Sequence, residues 1–175
     1  MSKLVNLFEV NTKPNYKIYC DMDGVLTDFA GRFEYFTGLH PREYEAKYSK
    51  KAFWKLINLE IGLVFWSKMG WTPRGRKLWE FLKPYNPELL TSPSSDDSSK
   101  LGKNVWVKEN LSPQPKVNFR LAKEKHDFAC ENCILIDDRE DTIERWNNAG
   151  GIGIHHPENT TNIQPILSQL KRLLR

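Results

Sequence analysis

No stretch of this chain is apolar for long enough to cross a bilayer. The longest such run, Ile61-Gly62-Leu63-Val64-Phe65-Trp66, is far shorter than the ~20 residues a spanning helix needs. The first ten residues carry no apolar export core. Cysteine is scarce: Cys20, Cys130 and Cys133 are an odd number, which speaks against a disulfide framework. Cys130-Glu131-Asn132-Cys133 has C-x-x-C spacing, but no second pair of cysteines or histidines completes a zinc site. The expectation is therefore two unpaired thiols in a reducing, cytoplasmic compartment. A dominant charge is also lacking. Twenty-six basic against 22 acidic residues leave a net charge of +4, which suits a small anionic substrate but not the coating of nucleic acid. No membrane partner is expected, a nucleic-acid partner is disfavoured, and nothing in the sequence speaks to oligomeric state.

What is present suits a single globular unit over residues 1–175. At 39% hydrophobic and 27% charged, a chain of this length can bury roughly 70% of its unfolded surface. Short apolar runs read as strands at Lys17–Cys20, Glu88–Ser92, Lys116–Leu121, Cys133–Ile136 and Gly151–His155. Helical patterns fall between them, at Thr27–Phe36, His40–Lys50, from Thr72-Pro73 (as N-cap and first helical position) to Lys83, Leu101–Leu111, Thr142–Ala149 and Asn162–Arg175. Pro93–Ser99 reads as a flexible polar loop, and Lys123–Asp127 as a polar turn or short helical piece. Residues 52–72 hold many large apolar groups without a period of two and read as short helices. The fold class that follows is α/β: a mostly parallel, Rossmann-like sheet with helices on both faces and a small helical cap, residues 30–72, inserted after the first strand.

Parallel sheets place ligand sites at the carboxyl ends of their strands. Two acid pairs fall there: Asp21 and Asp23, at spacing i, i+2 after the first strand, and Asp137-Asp138 after the fourth. Four converging carboxylates repel one another unless a cation sits among them. A hard, all-oxygen donor set suits Mg²⁺. His155 and His156, being neighbours on a strand, point to opposite faces and do not suggest a shared metal site.

Asp21-Met22-Asp23-Gly24-Val25-Leu26-Thr27-Asp28 resembles the first motif of the haloacid dehalogenase-like (HAD) superfamily of phosphotransferases. Leu89-Leu90-Thr91-Ser92 resembles the second, and Ile134-Leu135-Ile136-Asp137-Asp138-Arg139 the fourth. The third motif is a lysine, for which Lys103 in Lys103-Asn104-Val105-Trp106-Val107 is the candidate, with Lys100 one turn away in the same helix entry. Thr91-Ser92-Pro93, Lys103 and the Asp137-Asp138-Arg139 motif further resemble the 5'(3')-deoxyribonucleotidase branch. The resemblance implies Asp21 as nucleophile, Asp23 as general acid and base, and Thr91, Ser92 and Lys103 as phosphate-binding groups. Mg²⁺ would be held by Asp21, the Asp23 backbone carbonyl and Asp138, with Asp137 acting through water. The substrate implied is a small phosphate ester, a (deoxy)nucleoside monophosphate. The aromatic residues Phe53, Trp54, Phe65, Trp66 and Trp71 of the insertion are candidates to stack on a base or, equally, to form the insertion's own core. Two alternatives stay open: a phosphatase of another small ester or of a polynucleotide end, and a non-catalytic phospho-acceptor or binding module.

Overall fold

The computed structural model describes residues 15–158 and 160–175; the first ten residues, read above for an export core, lie outside them. In chain order the elements are β1 (Lys17–Cys20), β2 (Thr27–Asp28), α1 (Phe29–Thr37), α2 (Pro41–Tyr48), α3 (Lys50–Lys55), a π-helical turn (Leu56–Ile61), α4 (Leu63–Ser67), β3 (Gly70–Trp71), α5 (Gly75–Leu82), β4 (Glu88–Thr91), α6 (Asp97–Asn110), β5 (Val117–Phe119), a 3₁₀ segment (Ala122–Phe128), β6 (Cys133–Asp137), α7 (Glu140–Asn148), β7 (Ile152–His155) and α8 (Gln164–Leu173). Five strands form one sheet in the order β5-β4-β1-β6-β7. Every neighbouring pair in it is parallel. The first strand thus lies in the middle of the sheet, with both acid-bearing ends, β1 and β6, side by side.

The three inner strands β4, β1 and β6 feed two cores because successive side chains alternate between faces. Ile18, Cys20, Leu89, Ile134 and Ile136 pack into the larger core, with Trp106 of α6 and Ile166, Leu167 and Leu170 of α8. Tyr19, Leu90, Cys133 and Leu135 pack on the opposite face against Ile143 and Trp146 of α7. All five residues of β6 are buried, as expected of an inner parallel strand covered on both sides. Among the described residues no helix is long and apolar enough to cross a membrane.

Some local expectations are corrected. Helix α5 begins at Gly75, not at Thr72-Pro73, because Thr72 has other partners. Its hydroxyl donates to the Val25 carbonyl (2.6 Å) and its amide to the Leu26 carbonyl (2.9 Å), fastening the returning chain to the turn after β1. Helix α6 begins at Asp97 rather than Leu101, since the Asp96 carboxylate accepts from the Ser98 amide (2.9 Å) and caps it. The end of the expected flexible loop, from Asp97 to Ser99, is therefore helix. Cys130 and Cys133 are not two unpaired thiols but a disulfide. A turn in which the Cys133 amide donates to the Cys130 carbonyl (2.9 Å) brings their Cα atoms within 4.9 Å. The antiparallel pair β2–β3, joining Thr27 to Trp71, was not legible in the sequence. It closes the base of the helical insertion.

Candidate active site

The site is built on the turn that ends β1. The Asp21 amide still donates to Ile136 of β6 (2.9 Å), extending the sheet by one residue. The Met22 carbonyl then accepts from the amides of Val25 (3.1 Å), Leu26 (2.8 Å) and Thr27 (2.8 Å), which winds the chain into a tight loop. Gly24 at its tip has φ +76, a conformation that favours glycine. A Cβ there would also lie 2.5 Å from Asp138 Oδ2. The glycine lets the turn and the fourth-motif acid approach each other.

The loop separates the two acids of the first motif. Asp21 is 5% exposed and one of its oxygens accepts from the Met22 amide (2.8 Å). It groups with Asp137 and Asp138, all three offering carboxylate oxygens within 4.8 Å of one another. The Asp23 carboxylate is not in that group. Its Oδ1 accepts from the Thr27 hydroxyl (3.0 Å) and its Oδ2 from Lys103 Nζ (2.7 Å).

Two buried lysines serve these acids. Lys103 Nζ also donates to Thr91 Oγ1 (2.8 Å) and the Ser92 carbonyl (2.8 Å). Lys100 is exposed and faces Asp97. Lys125, which sequence reasoning missed, pairs with Asp21 Oδ2 at 2.8 Å and with Asp137 Oδ2 at 2.7 Å while 1% exposed. Its polar 3₁₀ segment has no apolar period to place it. The one positional hint is that it follows closely on the carboxyl end of β5.

The charges do not balance within the protein. Fully ionised, Asp21, Asp137 and Asp138 would carry three negative charges against the single ammonium of Lys125. Burial first, and then the Asp21 charge, push Asp137 up to about 6, although Lys125 opposes the shift. Burial, then Asp21 and Asp137, push Asp138 up to about 8. Burial works against the charge of Lys125, but Asp21 and Asp137 outweigh it and hold its pKa above the usual lysine value. One ammonium shared between two carboxylates cannot compensate a third. Two uncompensated charges on hard oxygen donors fit a divalent cation such as Mg²⁺.

A cavity of ≈ 280 Å³ opens above these groups. Asp21, Asp23, Gly24, Lys125 and Asp138 form its floor, Ser92, Pro93 and Ser94 one rim, and Arg139 and Glu158 another. Phe29, Trp54 and Trp66 supply its apolar wall. Of the insertion's aromatics, the structure brings Trp54 and Trp66 to the cavity and adds Phe29. It places Phe53 and Phe65 in the core at 2% and 0% exposure, packed on Phe29. Trp71 lies against Trp106, with ring centroids 4.9 Å apart, and lines a different cavity. Thr91 and Lys103, both 0% exposed, sit behind the cavity wall. Arg139 turns to Asp141 (3.1 Å), while its amide donates to Asp137 Oδ1 (3.0 Å).

No protein-family model and no curated protein matches the chain. Solved structures do. A hydrolase from Streptococcus pneumoniae is 16% identical, with a TM-score of 0.50, over 90% of this chain and 100% of its own. A HAD family enzyme from Bacteroides thetaiotaomicron in a magnesium complex is 15% identical with a TM-score of 0.51, over 90% and 98%. A HAD-superfamily hydrolase from Ehrlichia chaffeensis is 13% identical with a TM-score of 0.52, over 93% and 98%. The chain shares the fold of these proteins. In it the first and fourth motifs read from the sequence stand at the carboxyl ends of adjacent strands, β1 and β6.

Proposed function

We propose that this chain is a Mg²⁺-dependent phosphomonoester hydrolase that works through an aspartyl-phosphate on Asp21, with nucleoside monophosphates as its substrates. The observation that carries the reading is the division of labour between the two acids of the first motif. Asp21 lies among the acids that fit a cation, and Asp23 is held apart from them on its own lysine. A nucleophile and an acid/base need those two different surroundings. The magnesium complex of the B. thetaiotaomicron enzyme supports the choice of metal.

Asp21, Asp138 and the Asp23 backbone carbonyl would hold Mg²⁺, with Asp137 behind them. When bound, the ion neutralises charge on the phosphoryl oxygens and on the acids. An Asp21 carboxylate oxygen attacks phosphorus, and the bond from phosphorus to the ester oxygen breaks. Asp23 gives its proton to that oxygen, and the alcohol leaves. Water then attacks the phosphorus of the aspartyl-phosphate while Asp23 takes its proton. The bond from phosphorus to Asp21 breaks, and inorganic phosphate departs. Lys125 is the lysine we assign to the phosphoryl oxygens, since it lines the cavity and touches the nucleophile. Ser92 stands at the cavity rim, with Thr91 buried behind it. Residues 30–72 would act as the cap. Phe29 and Trp54, both half-buried at the cavity, offer faces on which a base can stack, worth about 1–3 kcal/mol per base in nucleic-acid complexes, while Trp66 is buried, at 1% exposure.

A phosphate-release screen over nucleoside monophosphates and other small esters, with Mg²⁺ and with Asp21→Asn as blank, tests the reading. Release from nucleotides by the wild type alone is expected. Release from aryl or sugar phosphates but from no nucleotide overturns the substrate. Full activity in Asp21→Asn overturns the mechanism.

A further inference from the structure

Lys103 is a buried charge with no direct task in that reaction. Its ammonium has three donors, and three oxygens take them: Asp23 Oδ2 at 2.7 Å, Thr91 Oγ1 at 2.8 Å and the Ser92 carbonyl at 2.8 Å. It is 0% exposed and absent from the cavity wall. The Trp66 ring lies 5.2 Å from its nitrogen and covers it. To reach a phosphate oxygen, Lys103 would have to give up one of these partners.

Asp23, by contrast, has reason to be held. It stands two residues from Asp21 on a sharply wound loop, and 27% of its side chain is exposed. An untethered carboxylate there would be free to turn away from the leaving oxygen. Both of its oxygens are anchored instead, Oδ1 by Thr27 (3.0 Å) and Oδ2 by Lys103. We propose that Lys103 is a positioning residue for the acid/base: it ties Asp23 to the end of β4 and keeps its carboxylate beside the leaving oxygen. This rests on the hydrolase reading above.

The same contacts join the insertion to Asp23. Gly102, next to Lys103, leaves no room for a Cβ, which would meet Trp66 Cβ at 2.5 Å and the Leu63 carbonyl at 2.9 Å. Helix α4 therefore lies directly on α6, and this close approach sets the Trp66 ring over Lys103. The aromatic residue that walls the cavity also seals the lysine that holds the acid/base.

The test is leaving-group dependence, read as kcat/KM, which covers only the steps up to the first irreversible one. The probes are phenyl phosphate, whose leaving oxygen needs a proton, and 4-nitrophenyl phosphate, whose leaving oxygen departs without one. With saturating Mg²⁺, Lys103→Met is expected to lower kcat/KM for phenyl phosphate about 10²-fold, the scale of a lost general acid. The loss for 4-nitrophenyl phosphate is expected to stay below about tenfold. Asp23→Asn should show the same split. Equal losses on both probes, or no loss, overturn the proposal, because a merely structural or phosphate-binding lysine does not discriminate between leaving groups. If Lys103→Met does not fold, Lys103→Gln, a shorter polar side chain without the ammonium that ties Asp23, carries the same expectation. An active wild type, an inactive Asp21→Asn and an undiscriminating Lys103 variant sink the positioning role alone. A wild type inactive on both probes and on nucleotides sinks the hydrolase reading and this inference with it.

Discussion

Two lysines, two tasks: at the scale of single residues the site is organised by which ammonium each carboxylate meets. Lys125 pairs with Asp21 and lines the cavity. Its replacement by Met is expected to lower kcat/KM about 10²–10³-fold, the cost of losing one preorganised electrostatic partner, and to do so equally for phenyl and 4-nitrophenyl phosphate. A selective loss on phenyl phosphate would place Lys125 with the acid/base instead. The acid pair of β6 predicts a pH effect. Asp137 and Asp138 are raised in the folded state, to about 6 and about 8, from an ordinary 3.8. A raised acid contributes stability that is fully present below its unfolded value and is lost as pH rises through the folded one. In chelator, the thermal midpoint should therefore fall between about pH 4 and pH 8. Each kcal/mol is worth about 2–4 °C in a chain of this size. Saturating Mg²⁺ should raise the midpoint most at the alkaline end, where both acids are charged. A chelated protein whose midpoint does not move with pH would contradict this.

At the scale of elements, the contact between α4 and α6 is where the insertion meets the sheet-bearing part. It is close because Gly102 has no side chain. Gly102→Ala must push α4 and Trp66 outward. Overpacking of this kind costs about 1–3 kcal/mol, so denaturant unfolding should show a lower midpoint with an unchanged slope. The same variant should lower kcat/KM for nucleotides, since Trp66 walls the cavity. Unaltered stability would mean that α4 is free to shift, and the tight packing would then not set the position of Trp66. The β2–β3 pair and the two Thr72 hydrogen bonds fasten both ends of the insertion to the loop that carries Asp23.

At the scale of the whole molecule, the net charge of +4 is mild and the cavity of ≈ 280 Å³ is small, at the low end for small-molecule sites. Both fit a substrate with one phosphate. Turnover of a nucleoside monophosphate below its KM should change less than about threefold between ~50 and ~200 mM salt. A protein gripping a polynucleotide through many phosphates loses about 10³–10⁵ in affinity over that range. A steep salt slope measured on short oligonucleotide phosphates, with weak action on mononucleotides, would move the substrate to a polynucleotide end.

Much of this was already determined by the sequence. Its apolar runs, bounded by Gly, Pro and polar residues, mark all five strands of the main sheet, because a buried parallel strand must be apolar on both faces. The acids at the ends of β1 and β6 are legible because strand ends and local turn chemistry are encoded within a few neighbouring residues. What the tertiary structure alone decided is which charges meet. Lys125 sits in a polar segment without period. Its partner Asp137 is 12 residues on and its partner Asp21 over a hundred residues back, so no local pattern marks it. Lys103 and Asp23 are 80 residues apart, and only the packing of α6 against the turn after β1 joins them. Trp54, Trp66 and Phe29 are of the same residue types as Phe53, Phe65 and Trp71. Which aromatic face meets the cavity depends on how the short helices of the insertion lie on one another. Ion pairs and cavity walls are long-range arrangements of side chains, settled by packing after the local rules for strands and turns have already been satisfied.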